Sequence, residues 1–130
     1  MKITTFNPQI ITKNAEPIQR LFEELGFERQ HTKTQIGEMD VTGIQLRDQN
    51  GFKLDISQPS SESSDILPAE AMVGIRINVD NFDEAYQLLT AHGFRNIYAD
   101  KTAITPSARS AVMIAPSGFA INLVQHIKKM

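Results

Sequence analysis

The chain has no cysteine and no tryptophan, and its formal charge is only −2 over 130 residues. Without cysteine, disulfides, thiolate metal centres and cysteine nucleophiles are excluded. Basic residues are scattered, apart from Lys128-Lys129 at the C-terminal end, so there is no electrostatic footprint for nucleic acid or an anionic membrane surface. No stretch approaches the roughly 20 apolar residues that span a bilayer. The alternation of polar and apolar residues from Met1 onward lacks the apolar run of a signal peptide. The chain also lacks any glycine-rich phosphate-cradling pattern, any histidine pair at metal-ligand spacing and any Ser-His-Asp set that sequence could assemble. These absences leave a cytoplasmic, globular protein, and 130 residues suffice for one domain with a real core.

What the chain does contain is its own second copy. Asn14, Leu21, Gly26 and Phe27 recur sixty-seven residues downstream as Asn81, Leu88, Gly93 and Phe94. At the same offset Gly51-Phe52-Lys53-Leu54-Asp55-Ile56-Ser57-Gln58 becomes Gly118-Phe119-Ala120-Ile121-Asn122-Leu123-Val124-Gln125. Two long units do not make a solenoid, which needs three or more. They predict a single domain over 1–130, with halves 1–59 and 71–130 joined by a linker over 60–70 rich in serine.

Each half reads as βαβββ, an α+β fold class. Lys2 to Thr12 and Met72 to Val79 are β-like. Ile18, Leu21, Phe22 and Leu25 fall at helical spacing, as do Phe82, Ala85, Leu88 and Leu89. Asn14 and Asn81 are placed to cap these helices, and Gly26 and Gly93 to end them. Strands are then expected over Glu28–Gln35, Met39–Arg47 and Gly51–Ser57, and over Arg95–Ala99, Ser110–Ala115 and Gly118–His126. Asp48-Gln49-Asn50-Gly51 and Pro116-Ser117-Gly118 supply the turns. Phe22, Phe82, Tyr86 and Phe94 are expected in the core. His31 and His126 are expected in solvent, and His92 beside the helix end, where a cation suits the dipole.

Alternation separates the two faces of the sheet. If Ile75, Ile77 and Val79 face the helices, then Gly74, Arg76 and Asn78 turn the other way. By the same rule Gln45, Arg47, Lys53, Asp55, Ser57 and Asn122 belong to that second face. At the repeat offset Gln45, Arg47, Lys53 and Ser57 become Val112, Ile114, Ala120 and Val124. One wall is therefore polar and the other apolar, which suits an amphipathic organic molecule whose anionic group Arg47 or Arg76 could hold. The same charges could equally be a solvated sheet face or neutralise one another across strands. Tyr98 and Phe6 are the aromatics placed to reach this face.

The segments Leu25-Gly26-Phe27, Val79-Asp80-Asn81-Phe82-Asp83-Glu84-Ala85-Tyr86 and Pro116-Ser117-Gly118-Phe119-Ala120-Ile121-Asn122-Leu123 resemble the vicinal oxygen chelate superfamily. That group includes glyoxalases, bleomycin-resistance proteins and extradiol dioxygenases. The resemblance implies two tandem βαβββ modules forming a mostly antiparallel sheet curved around a ligand cleft, with the polar face above lining it. It also implies a homodimer, with the linker long enough to let modules exchange between chains. In metal-dependent members the ligands come from the first and last strands of each module. Laid onto this chain, those positions are Phe6 (or, one register over, Asn7), Gly74, Asp55 and Asn122. Only Asp55 is a usable ligand, so the likeness points to a branch with no metal and no cofactor. The ligand-binding candidates are Gln45, Arg47, Asp55, Arg76, Asn78, Asn122 and Phe6. Two other readings stand beside this one: an enzyme of lyase, isomerase or dioxygenase type using residual cleft residues, such as Asp55 as base beside Arg76, or a non-standard metal site, and an interaction module without a small ligand.

Overall fold

The computed structural model describes residues 1–36, 41–59, 71–98, 102–104 and 108–126. The elements run β1 (Ile3–Thr12), α1 (Glu16–Glu24), β2 (Glu28–Ile36), β3 (Val41–Arg47), β4 (Lys53–Gln58), β5 (Ala71–Val79), α2 (Phe82–Ala91), β6 (Arg95–Asn96), β7 (Ala103–Ile104), β8 (Ala108–Ile114) and β9 (Ala120–His126). The linker 60–70, Met39, Ala99 and the C-terminal lysines, together with the side chain of His31, lie outside the described residues. The short β7 has no counterpart in the sequence reading. Strand β9 starts at Ala120 and not at Gly118, because Gly118 and Phe119 belong to the turn that the Ala115 N–H closes onto the Phe119 carbonyl at 2.8 Å.

All strands join one mixed sheet in the order β2-β3-β4-β1-β5-β9-β8-β6, with β7 on β8. At its centre β1 and β5 run antiparallel, in register from Ile3 opposite Val79 to Thr12 opposite Ala71. Outward from that pair, β1 lies parallel to β4 and β5 parallel to β9. The fold is α+β, and none of the described helices is long and apolar enough to cross a membrane.

Both helices pack on the same side of the sheet. Ala15, Ile18 and Phe22 cover Ile44, Leu46, Leu54 and Ile56, while Phe82 and Ala85 cover Val79, Ala111, Met113 and Leu123. Burying each such aliphatic side chain contributes about 1.5–3 kcal/mol. A third cluster joins Ile11, Met72, Ile114 and Ala120 to Ile97 and Tyr98. Its strand residues alternate with Ile10, Ile121 and Met113, so it occupies the face away from the helices. Helical spacing overstated the core, since Leu21, Leu25 and Leu88 are about half exposed or more. They flank the buried stripe and do not belong to it.

Asn81 caps α2 as expected, accepting from the Glu84 N–H at 3.1 Å. Asn14 does not cap α1, whose N-cap is Ala15, a residue with no side chain to do the work. The Ala15 N–H is taken instead by Gln58 Oε1 at 2.7 Å, and at the repeat offset the Phe82 N–H is taken by Gln125 Oε1 at 2.7 Å. The last residue of β4 and the penultimate residues of β9 thus tie each helix start to the sheet. Gln125 does more, also donating to the Asp80 carbonyl at 3.0 Å. Replacing either glutamine strands a helix-start N–H. Gln58→Ala is expected to cost about 1 kcal/mol and Gln125→Ala about 1–2 kcal/mol, read as shifts of the urea midpoint at constant slope.

Candidate functional site

On the face opposite the helices, the strand registers gather polar side chains into a patch. Asp55 on β4 lies beside Gln9 on β1, which lies beside Gly74 on β5, which lies beside Ala120 on β9. In the neighbouring row Asn7, Arg76 and Asn122 stand side by side on the same three strands, followed by Val112 on β8. Asn78 sits two residues beyond Arg76 on the same side of β5.

Asp55 is the centre of this patch. It is only 4% exposed, and a carboxylate so placed must be held by partners. Arg76 Nη1 donates to Oδ1 at 3.2 Å, and Asn7 Nδ2 donates to Oδ2 at 3.3 Å. The guanidinium reaches across β1 to do so and stays partly open, its side chain 27% exposed. Around this pair the amides are left wanting. Gln9 Oε1, Asn78 Oδ1 and Asn122 Oδ1 are buried without a hydrogen-bond partner among the described residues. Each such group costs about 1–3 kcal/mol, so three on one face mark a surface shaped for something other than stability.

Next to the polar patch lies the apolar cluster of Ile11, Met72, Ile114, Ala120, Ile97 and Tyr98. Burial pushes the Tyr98 phenol above its ordinary value, so it keeps its proton at neutral pH and can donate. The Tyr98 backbone is fixed by its N–H on Asn96 Oδ1 at 3.0 Å.

Of the residues singled out in the sequence, the structure brings Asp55, Arg76, Asn78 and Asn122 together. Gln45 pairs with Asp55 in register on β3, at the edge of the patch. Arg47 is exposed at the end of β3. A side chain added at Gly51 would come within 3.6 Å of the Arg47 guanidinium, which places that group over the β3–β4 turn. Phe6 is a correction: it pairs with Ile77 on the helix side and is largely exposed. The inward residue is its neighbour Asn7. Gln9, buried between Asp55 and Gly74, was not singled out. Ile10 packs toward α1, and alternation about it would have revealed Asn7 and Gln9 together.

The four positions that the superfamily uses for metal ligands do not fit a divalent ion here. One carboxylate and two amides are present without an imidazole, and the carboxylate already holds a guanidinium. At Gly74 a Cβ would lie 2.2 Å from the Ala120 carbonyl oxygen, so no ligating side chain can stand there. Among the described residues no group of three His, Cys, Asp or Glu could hold a metal.

No family model and no curated protein matches the chain. Solved structures do. Methylmalonyl-CoA epimerase from Mycobacterium tuberculosis superposes with a TM-score of 0.64 at 16% identity, covering 97% of this chain and 90% of the other. Streptomyces coelicolor methylmalonyl-CoA epimerase, in complex with 2-nitronate-propionyl-CoA, gives 0.63 at 18% identity, over 98% and 100%. A glyoxalase/bleomycin resistance protein/dioxygenase superfamily member from Vibrio splendidus 12B01 gives 0.58 at 15%, over 95% and 99%. The chain has the vicinal oxygen chelate fold.

Within that fold the tight β5–β9 approach at Gly74 sets the floor of the patch. Gly74→Ala forces a Cβ into backbone that cannot rotate away, and is expected to destabilise by about 2–3 kcal/mol in chemical denaturation. The outward-facing Val73→Ala should change stability by less than about 0.5 kcal/mol.

Proposed function

We propose that this protein binds a small amphipathic organic molecule, without a metal, in a cleft on the sheet face opposite the helices. Two tandem βαβββ modules, meeting at β1 and β5, would form that cleft. The module reading is supported by the strand order, which is mirrored about the β1–β5 pair, and by the matched Gln58 and Gln125 bonds. The observation that carries the binding reading is the adjacency of two clusters on one face. The Asp55–Arg76 pair with its under-bonded amides receives the polar end, and Ile11, Met72, Tyr98 and Ile114 receive the apolar end. Arg76 has one nitrogen on Asp55 and presents its remaining N–H groups to an anionic or carbonyl oxygen.

A second reading, an enzyme of isomerase or lyase type, draws on the epimerases among the similar structures and on Asp55 as a base. It is the weaker one on chemistry. Both Asp55 oxygens already accept a hydrogen bond, one from a guanidinium, so a reacting group would have to displace one of these partners to reach the carboxylate.

Phenylacetate titrated into 15N-labelled protein tests the binding reading. The side-chain amide signals of Asn7, Gln9, Asn78 and Asn122 are expected to move, with and without EDTA. Arg76→Met is expected to weaken the apparent affinity roughly tenfold. Perturbations confined to the helix side, or binding that disappears with EDTA, would count against it.

A further inference from the structure

The orphaned atoms around Arg76 share one property: all three are amide oxygens. Gln9 Oε1, Asn78 Oδ1 and Asn122 Oδ1 have no partner among the described residues, and Gln9 and Asn78 are only 5% and 4% exposed. Such an oxygen accepts and cannot donate, so what it lacks is an N–H or O–H group. The strand registers set the three amides around the guanidinium. Asn122 stands beside Arg76 on β9, Asn78 lies two residues on along β5, and Gln9 on β1 is opposite the next inward position, Gly74.

Charge narrows the choice further. Arg76 is matched by Asp55 at 3.2 Å, so the pair has no net charge to offer a ligand. A carboxylate on the free side of the guanidinium would accept from Arg76. It would also leave the three oxygens without donors and bring a second anion close to Asp55. An ammonium would donate to the oxygens, yet it would stand against the guanidinium. Arg47 and Lys53 pair in register at the turn end of β3 and β4 and are both exposed, so solvent screens them.

We propose, resting on the binding reading above, that the polar end of the ligand is an uncharged carboxamide, as in a primary amide or a lactam, carried on an apolar body. Its carbonyl accepts from Arg76 while its N–H donates to the amide oxygens. Turning a protein amide end for end trades the orphaned oxygen for an orphaned NH2 group, and a carboxamide answers either. The oxygens are buried, so the ligand meets them as the amides turn about their last torsions, whose wells are broad. Gly74 lies between Arg76 and Met72 on β5 and has no side chain, which leaves a passage from this head to the apolar cluster.

Three probes of similar shape and different charge test this: phenylacetamide, phenylacetate and phenethylamine, each titrated into the 15N-labelled full chain at pH 7. Affinities are read from the side-chain amide signals of Asn7, Gln9, Asn78 and Asn122. Phenylacetamide is expected to bind at least about tenfold more tightly than either charged probe. Asp55→Asn keeps the shape of the side chain and removes the counter-ion of Arg76, so in that variant phenylacetate is expected to overtake phenylacetamide. A charged probe that binds the unaltered protein as tightly as phenylacetamide would overturn this inference and leave the binding reading standing. So would an Asp55→Asn variant that keeps the original order. Silence of all four amides toward every probe would overturn both.

Discussion

The ladder between β1 and β5 is the constraint on which the rest of the structure depends. It is antiparallel and runs nearly the full length of both strands, with one irregularity near Ile3. Each of its strands then pairs in parallel with the last strand of its own half. The ladder therefore fixes where Asp55 on β4 stands relative to Arg76 on β5, with β1 between them. A parallel neighbour cannot be joined by a tight hairpin. The helices and outer strands are the crossovers that make those parallel pairings, so they are consequences of the central arrangement as much as decorations on it.

That arrangement makes the Asp55–Arg76 pair a cross-strand brace with a cost. A carboxylate 4% exposed loses most of its hydration, and a single guanidinium bond of 3.2 Å with one amide bond of 3.3 Å recovers only part of it. Replacing such a pair with packed hydrophobic residues is often neutral or stabilising. The pair and its three under-bonded amides are thus hard to explain by folding alone. The proposed amphipathic ligand would give them a use, because the same face supplies apolar area for the remainder of such a molecule.

How much of this was legible in the sequence follows from which forces leave a periodic trace. Apart from the short β7, the order of elements, the turns at Gly51 and Gly118 and the face carrying Asp55, Arg76, Asn78 and Asn122 could be read because alternation and positive-φ glycine are local. The cap of α1 could not. Asn14 looks like a capping residue, yet the helix has Ala15 as its N-cap, and the Ala15 N–H is held by Gln58, forty-three residues on in the chain; nothing local announces that. Phe6 was drawn toward the ligand face by its place in a family pattern, while its neighbour Ile10 shows the opposite phase. The exposure of Leu21 and Leu88 was invisible for a related reason. Helical spacing says which residues share a flank, but the width of the covered stripe depends on how the helix lies on the sheet.

The repeat itself separates architecture from chemistry. On the helix side the copies largely agree in kind, although only Asn81 caps its helix: Gln58 and Gln125 make the same bond, Ile10 and Ile77 pack against their helices, and Phe52 and Phe119 follow the turn glycines. On the other face they disagree at almost every position. Asn7 corresponds to Gly74, Gln9 to Arg76, Ile11 to Asn78 and Asp55 to Asn122. Packing restricts the first set, since a helix start needs an acceptor and a core position needs an apolar side chain of fitting volume. Gly74 is set by the close approach of the Ala120 carbonyl, but no such folding requirement is evident for the other three pairs. A sheet built only to be stable could have carried the same residues at those positions in both halves, so the asymmetry is what the proposed unsymmetrical ligand would require.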